Sequence, residues 1–313
     1  MKRGFRIVLL AVAMASVFWF VGAEEEFVAP PAPYFGLKAP RMVPEVFAPG
    51  FISTEQFEFG IAFSPDGREC FFTRRATYEG ADNRIVRTQM SDKGWSRPEP
   101  ASFSRDVFEF LPVVSPDGRR LYFYSERPEP ADAALDGDLW VTEKGETGWG
   151  DPDPQRQRAP ANRRYCMMVS EAANGAIYFA GIFAGQRGVF RARRAAQGYE
   201  AMEMLPGEVN AIRPAHPFIA PDESYLIMDA QVTGMGQPEL FISFRKADGV
   251  WTRARNMGQA INATKTEFAA SVSPDGKFLF FHRRVNGNGD IYWVDAGILD
   301  AFRPKRGEDI QKP

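Results

Sequence analysis

Three glutamates recur at one fixed distance from a four-residue motif. Glu58, Glu109 and Glu267 each stand six residues ahead of a Ser-Pro-Asp-Gly sequence. Hydrolysis of a glycosidic bond uses two carboxyl groups at a defined separation, one as acid and the other as nucleophile or base. Carboxylates that recur by repetition can instead accept hydrogen bonds from the backbone N–H groups of a neighbouring loop. The sequence leaves both interpretations of these glutamates open.

Basic residues occupy the matching place in two further copies of the unit. Counting back by the same distance gives Arg164 and Pro214, and Arg213 and His216 stand beside the latter. A histidine can act as a base or a ligand, or it can be a hydrogen-bonded structural residue. If the units form a ring, an acidic arc faces a basic arc at one channel mouth. The predicted ligand-binding residues are therefore Glu58, Glu109, Arg164, Arg213, His216 and Glu267.

One turn carries alternating oxygen ligands of the kind that calcium loops use. Asn286, Asn288 and Asp290 form this pattern, but the downstream glutamate of a full calcium loop is missing. A glycine-containing turn into a strand explains the same residues, so no metal and no cofactor is predicted. The two cysteines, Cys70 and Cys166, lie in non-adjacent units and are expected to be free thiols.

The candidate residues belong to a unit that recurs along the chain. Ser-Pro-Asp-Gly begins at Ser64, Ser115 and Ser273, Ala-Pro-Asp-Glu begins at Ala220, and a weaker copy begins at Ser170. A period of roughly 50 to 55 residues is typical of repeat architectures. Ser, Pro and Gly at the first, second and fourth positions fit a type I turn followed by a bulge, so each copy predicts a hairpin.

Each unit predicts four strands. The strand after the turn is apolar at successive residues, as in 278–281, so it must be covered on both faces. The fourth strand of the first four units begins near an aromatic residue: Trp95, Trp149, Tyr199 and Trp251. The last unit lacks this strand, and residues 43–47 can supply it. The sequence therefore predicts an all-β fold, a five-bladed β-propeller of four-stranded antiparallel blades over residues 43–300, closed by an N-terminal outer strand, in preference to six blades.

These motifs resemble a known family. The Ser-Pro-Asp-Gly turns, the Asp-Leu-Trp and Asp-Ile-Tyr third strands at 138–140 and 290–292, and the Trp-to-Pro fourth strands resemble the WD-like β-propeller repeats of TolB-type proteins over residues 43–299. The resemblance implies an exported bacterial protein that acts as a binding or assembly module. The third unit departs from the pattern because it lacks Pro-Asp-Gly, and the first has Asn83-Arg84 where an acidic residue precedes strand three.

The two ends of the chain carry their own signals. Residues 1–23 combine Lys2, Arg3 and Arg6 with an apolar run and a small-residue cleavage site, which predicts a signal peptide and a periplasmic or secreted protein. Residues 24–42 form a Pro-rich lead-in and 301–313 a polar tail. Without the three basic residues the formal net charge falls from -2 to about -5, which does not favour a nucleic acid partner. No stable membrane span is expected after cleavage.

Function follows from fold analogy at this level. The expected function is non-catalytic binding of a protein or carbohydrate partner in the cell envelope, through the loop-bearing face of the channel. The alternative is a carbohydrate-active hydrolase that uses Glu58, Glu109 or Glu267. A deep pocket with two carboxyl groups at glycosidase separation favours the hydrolase, and a mouth plugged by side chains favours binding.

Overall fold

The computed structural model describes residues 27–77, 79–128, 138–154, 168–196, 198–231 and 237–304, and every structural statement below concerns these residues. The predicted signal peptide, Arg164, Cys166 and most of the predicted tail lie outside them. Within the described residues, no helix has both the length and the apolar character that crossing a membrane requires.

The chain folds into five antiparallel sheets, which are the predicted blades. The strands of blade 1 are β2 (Phe57–Phe63), β3 (Glu69–Arg75), β4 (Arg84–Ser91), β5 (Gly94–Trp95) and β6 (Glu99–Pro100). Those of blade 2 are β7 (Glu109–Val114), β8 (Arg120–Ser125), β9 (Asp138–Gly145), β10 (Gly148–Trp149) and β11 (Asp153–Pro154). Those of blade 3 are β12 (Val169–Glu171), β13 (Ile177–Phe183), β14 (Gln186–Ala192) and β15 (Glu203–Met204).

The last two blades complete the ring. The strands of blade 4 are β16 (Ala215–Ile219), β17 (Tyr225–Gln231), β18 (Pro238–Phe244) and β19 (Arg255–Asn256). Those of blade 5 are β20 (Phe268–Val272), β21 (Phe278–Val285), β22 (Asn288–Asp295) and, from the N-terminus, β1 (Glu45–Val46). The described helical segments are the 3-10 turns Tyr34–Gly36 and Ala296–Phe302 and the short helices α1 (Gly207–Asn210) and α2 (Gly258–Ile261).

Ring closure occurs where the sequence predicts it. Strand β1 pairs antiparallel with β22, with Glu45 opposite Trp293 and Val46 opposite Tyr292. Phe47, directly after β1, is fully buried and its ring lies 4.9 Å from Phe280 and 5.0 Å from Trp293. In blade 1 the outer strand is split into β5 and β6, which both pair with β4, and in blade 2 into β10 and β11, which both pair with β9. The five-bladed propeller of four-stranded blades with an N-terminal outer strand is therefore confirmed.

The second strand of a blade is covered on both faces because blades stack on either side of it. In β3, Phe71 packs in a cluster with Leu121 of blade 2, whereas Phe72 packs in a cluster with Phe280 of blade 5. Equivalent clusters lie at the other blade boundaries. Apolar residues on both sides of the strand are thus explained by two neighbouring sheets.

A β-bulge interrupts the inner strand of four blades at the same place. Gly60, Leu111, His216 and Ala269 each stand four residues before the turn motif and have φ values of 60°, 56°, 40° and 51°. The pairing register shifts at each of these positions. A bulge bends its strand and leaves one residue in the left-handed region. The sequence analysis did not predict it, because three of the four residues are not glycine.

Removing the Phe47 ring tests how strongly the N-terminal strand closes the ring. We expect Phe47→Ala to lower the free energy of unfolding by about 3–5 kcal/mol, because it leaves a cavity among buried aromatic rings. The matched control is Val43→Ala in the same segment, where Val43 is 67% exposed and a change within about 0.5 kcal/mol is expected. Urea unfolding measures both values, and equal stabilities would contradict this account of closure.

Candidate functional site

The two faces of the ring are distinct, and we name them by their connections. The loop face carries the ends at which inner strands begin, including Glu58 and Glu109, together with the loops that lead into them. The turn face carries the Ser-Pro-Asp-Gly turns. In each such turn the Ser side chain accepts a hydrogen bond from a backbone N–H five residues on, at 2.8 Å for Ser64 and Glu69, and donates to the turn Asp.

The three predicted glutamates lie on the loop face, fully buried. In blade 1, Glu58 accepts hydrogen bonds from the Thr54 backbone N–H at 3.1 Å and from the Thr54 hydroxyl at 2.6 Å. Arg74 Nε donates to the same carboxylate at 2.9 Å and its guanidinium also reaches the Ile52 carbonyl at 3.0 Å. Glu58 thereby ties the loop before β2 to the end of β3.

The other two glutamates repeat this arrangement. Glu267 accepts from the Thr264 and Thr266 backbone N–H groups at 3.0 Å each and from Arg283 Nε at 2.9 Å. The Glu109 carboxylate accepts hydrogen bonds from four residues: Ser104 Oγ, the Arg105 backbone N–H, Ser125 Oγ and the Arg127 guanidinium. These contacts are the ones that the loop-anchoring interpretation predicts.

Glu58 has a carboxyl neighbour that the others do not share. Burial first, and then the charge of Glu58, raise the pKa of Asp290 to about 6, although the Asn288 amide opposes this shift. Burial also raises the pKa of Glu58 above its ordinary value, against the opposing effects of Thr54 and Arg74. Asp290 is half-buried on β22, so the two carboxyl groups meet at the boundary of blades 5 and 1.

The turn with alternating oxygen ligands is a β-hairpin turn, as the glycine-containing interpretation predicts. Asn286 and Gly287 have φ values of 52° and 89° and connect β21 to β22, with Val285 paired to Asn288. Left-handed residues at both central positions define a type I′ turn, for which Asn-Gly is the preferred pair. Asn288 donates to Asp290 and to the Thr54 carbonyl at 3.1 Å. In the described part of the chain no group of three His, Cys, Asp or Glu side chains is arranged to hold a metal.

A second loop-face feature is a cavity of about 300 Å³ between blades 3 and 4. His216 and Arg187 line it, along with aliphatic groups that include Ala180 and Met168. His216 Nδ1 lies 2.9 Å from Asp229 Oδ1 on β17. Burial by itself lowers the pKa of His216, but the charge and hydrogen bond of Asp229 outweigh it and raise the pKa above its ordinary value. His216 thus becomes cationic at the cavity wall as the pH falls.

Arg187 lines the cavity, and Arg213 directly precedes the lining residue Pro214. Both arginines are exposed, and neither forms an ion pair or side-chain hydrogen bond with any residue in the described ranges. Of the predicted basic residues, His216 thus lines the cavity and Arg213 is next in sequence to its wall. The sequence analysis missed Arg187 and Asp229. Asp229 pairs with Ala215 across β16 and β17, so the hairpin register was the signal that could have located it.

The anchoring pair of the other blades is replaced beside this cavity. Arg74 and Arg283 stand ten residues after the first Ser of their turn motifs, and the same place holds Ala180 in blade 3 and Ala230 in blade 4. The glutamate position of blade 4 is Pro214. Asn210 accepts from the Val189 backbone N–H at 2.7 Å, the same contact that Asn262 makes with Leu240 beside the Glu267–Arg283 pair of blade 5. Small residues thus replace the Glu–Arg pair and leave room for the cavity.

The second histidine has a different environment. His282 on β21 is 1% exposed, its Nδ1 lies 2.8 Å from the Glu58 carbonyl, and burial lowers its pKa to about 3. It is therefore neutral and structural, and it lies against the rings of Phe57 and Phe268 at 4.5 Å. Cys70 is a free, buried thiol whose pKa is raised by burial.

Three further glutamates, which the sequence analysis missed, connect blades at the turn face. Glu69, Glu171 and Glu223 are each less than one-tenth exposed. Their partners in the neighbouring blade are Lys144 and Trp149 for Glu69, Arg120 and Tyr122 for Glu171, and Tyr178 and Arg191 for Glu223. Because these partners lie in the neighbouring blade, each glutamate links its own sheet to the adjacent one.

Comparison with known proteins supports the fold and no more. No protein family model and no curated protein matches the chain. Solved structures with a similar fold include a provisionally assigned TolB from Agrobacterium tumefaciens, with 16% identity, a TM-score of 0.47 and coverage of 77% of each chain. An endo-arabinase from Bacteroides thetaiotaomicron has 13% identity and a TM-score of 0.50 over 82% of this chain and 96% of its own. The chain is thus a β-propeller, as the motifs predict.

Breaking one anchoring pair tests its structural role. We expect Glu109→Ala to lower the free energy of unfolding by about 3–5 kcal/mol, because it leaves the buried Arg127 guanidinium without its carboxylate. Glu126→Ala is the control, since Glu126 is exposed in the same segment and its loss should change stability by less than about 0.5 kcal/mol. Urea unfolding measures both, and a small effect of Glu109→Ala would show that the pair does not hold the loop.

Proposed function

We propose that the chain is an exported, non-catalytic binding module that holds an acidic group of a protein or glycan partner at the loop-face cavity between blades 3 and 4. The observation that carries the proposal is the set of cationic groups there. Arg187 and His216 line the cavity and Arg213 adjoins it, and neither arginine has an opposing charge among the described residues. A carboxylate or phosphate supplies the missing charge and hydrogen bonds.

The state of the predicted glutamates favours binding over hydrolysis. Glu109 and Glu267 are fully buried and each carboxylate is already engaged by an arginine and by its own loop. A general acid or base must reach the substrate, and these two carboxyl groups face internal donors instead. The channel beside them is filled by Phe59, Phe110 and Phe268 on three adjacent inner strands, with Phe59 at 6.2 Å from Phe110 and 5.6 Å from Phe268.

Export and domain limits complete the proposal. Residues 1–23 act as a signal peptide, 24–42 as the lead-in, 43–300 as the propeller and 301–313 as a polar tail, and the mature protein is periplasmic or secreted. The signal-peptide features of the first 23 residues support export from the cytoplasm. The partner then lies in the cell envelope or outside it, as expected for the TolB-type repeats.

Two double variants that remove the same charge from opposite faces test the site. We expect Arg187→Ala/Arg213→Ala to weaken partner binding by at least about tenfold, since each charge-assisted contact contributes about 1.5–3 kcal/mol. Arg68→Ala/Arg119→Ala removes two exposed arginines from the turn face and should retain affinity. The probes are an array of neutral and acidic oligosaccharides and a quantitative pull-down from envelope extract, which separate a glycan partner from a protein.

The pH dependence adds an independent criterion. His216 is protonated below its raised pKa and loses its charge as the pH rises through that value, so an acidic partner should bind more tightly at pH 6 than at pH 9. His216→Gln should remove this dependence. Equal affinities of the two double variants, or tighter binding at the higher pH, would contradict the proposed site.

A hydrolase remains the second candidate because of one carboxyl pair. Burial and then the charge of Glu58 raise the pKa of Asp290 to about 6, so a carboxyl group that can act as an acid lies near a second carboxyl group. If they catalyse hydrolysis, both Glu58→Gln and Asp290→Asn should lower the release of reducing sugar from a polysaccharide panel by about 10²-fold or more. The exposed Asp300→Asn is the control. Absence of release by the wild type, or full activity of Asp290→Asn, removes this candidate.

A further inference from the structure

A second cavity, larger than the one on the loop face, lies at the other end of the channel, on the turn face. Its volume is about 500 Å³, within the roughly 300–1,000 Å³ of small-molecule sites. Its rim is formed by the prolines of four turn motifs: Pro65, Pro116, Pro221 and Pro274. The repeat motif that builds the hairpins therefore also shapes this opening.

The floor of the cavity separates it from the loop face. Gly60, Leu111 and Ala269, three of the four bulge residues, line it together with Met168. Leu111, Met168 and Ala269 also belong to the buried aromatic cluster that includes Phe59 and Phe110. The bulges thus bring inner-strand residues together at one depth, and the aromatic rings fill the channel beyond them. Met168 lines both cavities and forms part of the partition between them, so a ligand on the turn face occupies a space separate from the loop-face cavity.

The side-chain hydroxyls in the wall are already engaged. Ser271 Oγ donates to the Ile61 carbonyl at 2.7 Å, and Ser170 Oγ accepts from the Ile219 backbone N–H at 3.0 Å. Ser115 and Ser273 hydrogen-bond within their own turns. These hydroxyls therefore have internal partners and do not require a polar ligand.

The two carboxylates that line the cavity are engaged as well. Glu171 accepts from Arg120 at 2.7 Å and from the Tyr122 hydroxyl at 2.8 Å. Asp275 accepts from the Tyr34 hydroxyl at 2.9 Å and from Ser273 at 2.7 Å. A cationic ligand would have to compete with these bonds, and an anionic ligand would be repelled by both carboxylates.

The remaining wall is apolar. Ile61, Val114, Phe218 and Val272 contribute side chains between the floor and the rim. We infer that the turn-face cavity is a binding site for an uncharged, mainly apolar small molecule, such as one with an alkyl chain or an aromatic ring system. Its binding free energy comes from removing apolar surface from water, with few directional contacts.

An uncharged fluorophore tests the inference directly. N-phenyl-1-naphthylamine should bind the wild-type protein saturably, with a blue-shifted and enhanced emission. Val114→Trp fills the cavity and should weaken this binding by at least about tenfold. Val250→Trp is the matched control, because Val250 is 51% exposed on an outer turn of blade 4 and lies outside the cavity. Its affinity should equal that of the wild type.

Two further measurements keep the outcome decisive. Val272→Trp fills the cavity from blade 5 and should reproduce the loss if Val114→Trp does not fold, as judged by circular dichroism. 1-Decanol should displace the fluorophore, whereas inorganic phosphate should not. Arg187→Ala/Arg213→Ala should leave fluorophore binding unchanged, since those residues lie on the other face. Absence of saturable binding to the wild type, or equal affinity of the folded Trp variants, would overturn the inference.

Discussion

The second strand of each blade is apolar on both faces, and the ring follows from this property. Phe71 and Phe72 are consecutive in β3 and both are fully buried, one against blade 2 and the other against blade 5. A single sheet with such a strand must be covered twice, so each blade needs two neighbours and an open row would expose its ends. Closure removes the ends. It depends on β1, which completes blade 5 and brings Phe47 into the boundary with blade 1.

The stacked sheets bury polar side chains at both faces of the ring, and these side chains are paired with other groups of the same chain. On the loop face, glutamates at the starts of inner strands bind the preceding loop and an arginine at the end of strand two. On the turn face, Glu69, Glu171 and Glu223 connect adjacent blades. Buried charges are tolerated when paired and hydrogen-bonded, and removing one partner is then costly. Most of the conspicuous carboxylates of this chain are thereby explained as structure.

The features that the sequence could predict are encoded by short local motifs and by their repetition. Ser-Pro-Asp-Gly specifies its own turn, and the aromatic residues Trp95 and Trp149 mark fourth strands, so the blade count and the closure followed. The sequence analysis did not use one further recurrence, although it could have indicated the partners of the glutamates. Arg74 and Arg283 each stand ten residues after the Ser of their turn motif, whereas Arg127 stands twelve residues after its Ser and breaks the pattern. Asp229 was within reach, because counting back along the hairpin from the Phe218–Ile227 pair puts it opposite His216, although a bulge then pairs it with Ala215. The bulges themselves were out of reach, since no residue type announces one at Leu111 or Ala269.

The proposed loop-face site lies where the chain departs from the repeat. Three blades keep the Glu–Arg pair, and it fills the space between the inner strand and the end of strand two. In blade 4 the glutamate is Pro214 and the arginine position is Ala230, and in blade 3 the arginine position is Ala180, which lines the cavity. Loss of both long side chains opens a space, which Arg187 and the Asp229-paired His216 then line with cationic groups. The loop-face cavity thus arises where the repeat is broken, whereas the turn-face cavity is rimmed by the repeated prolines themselves.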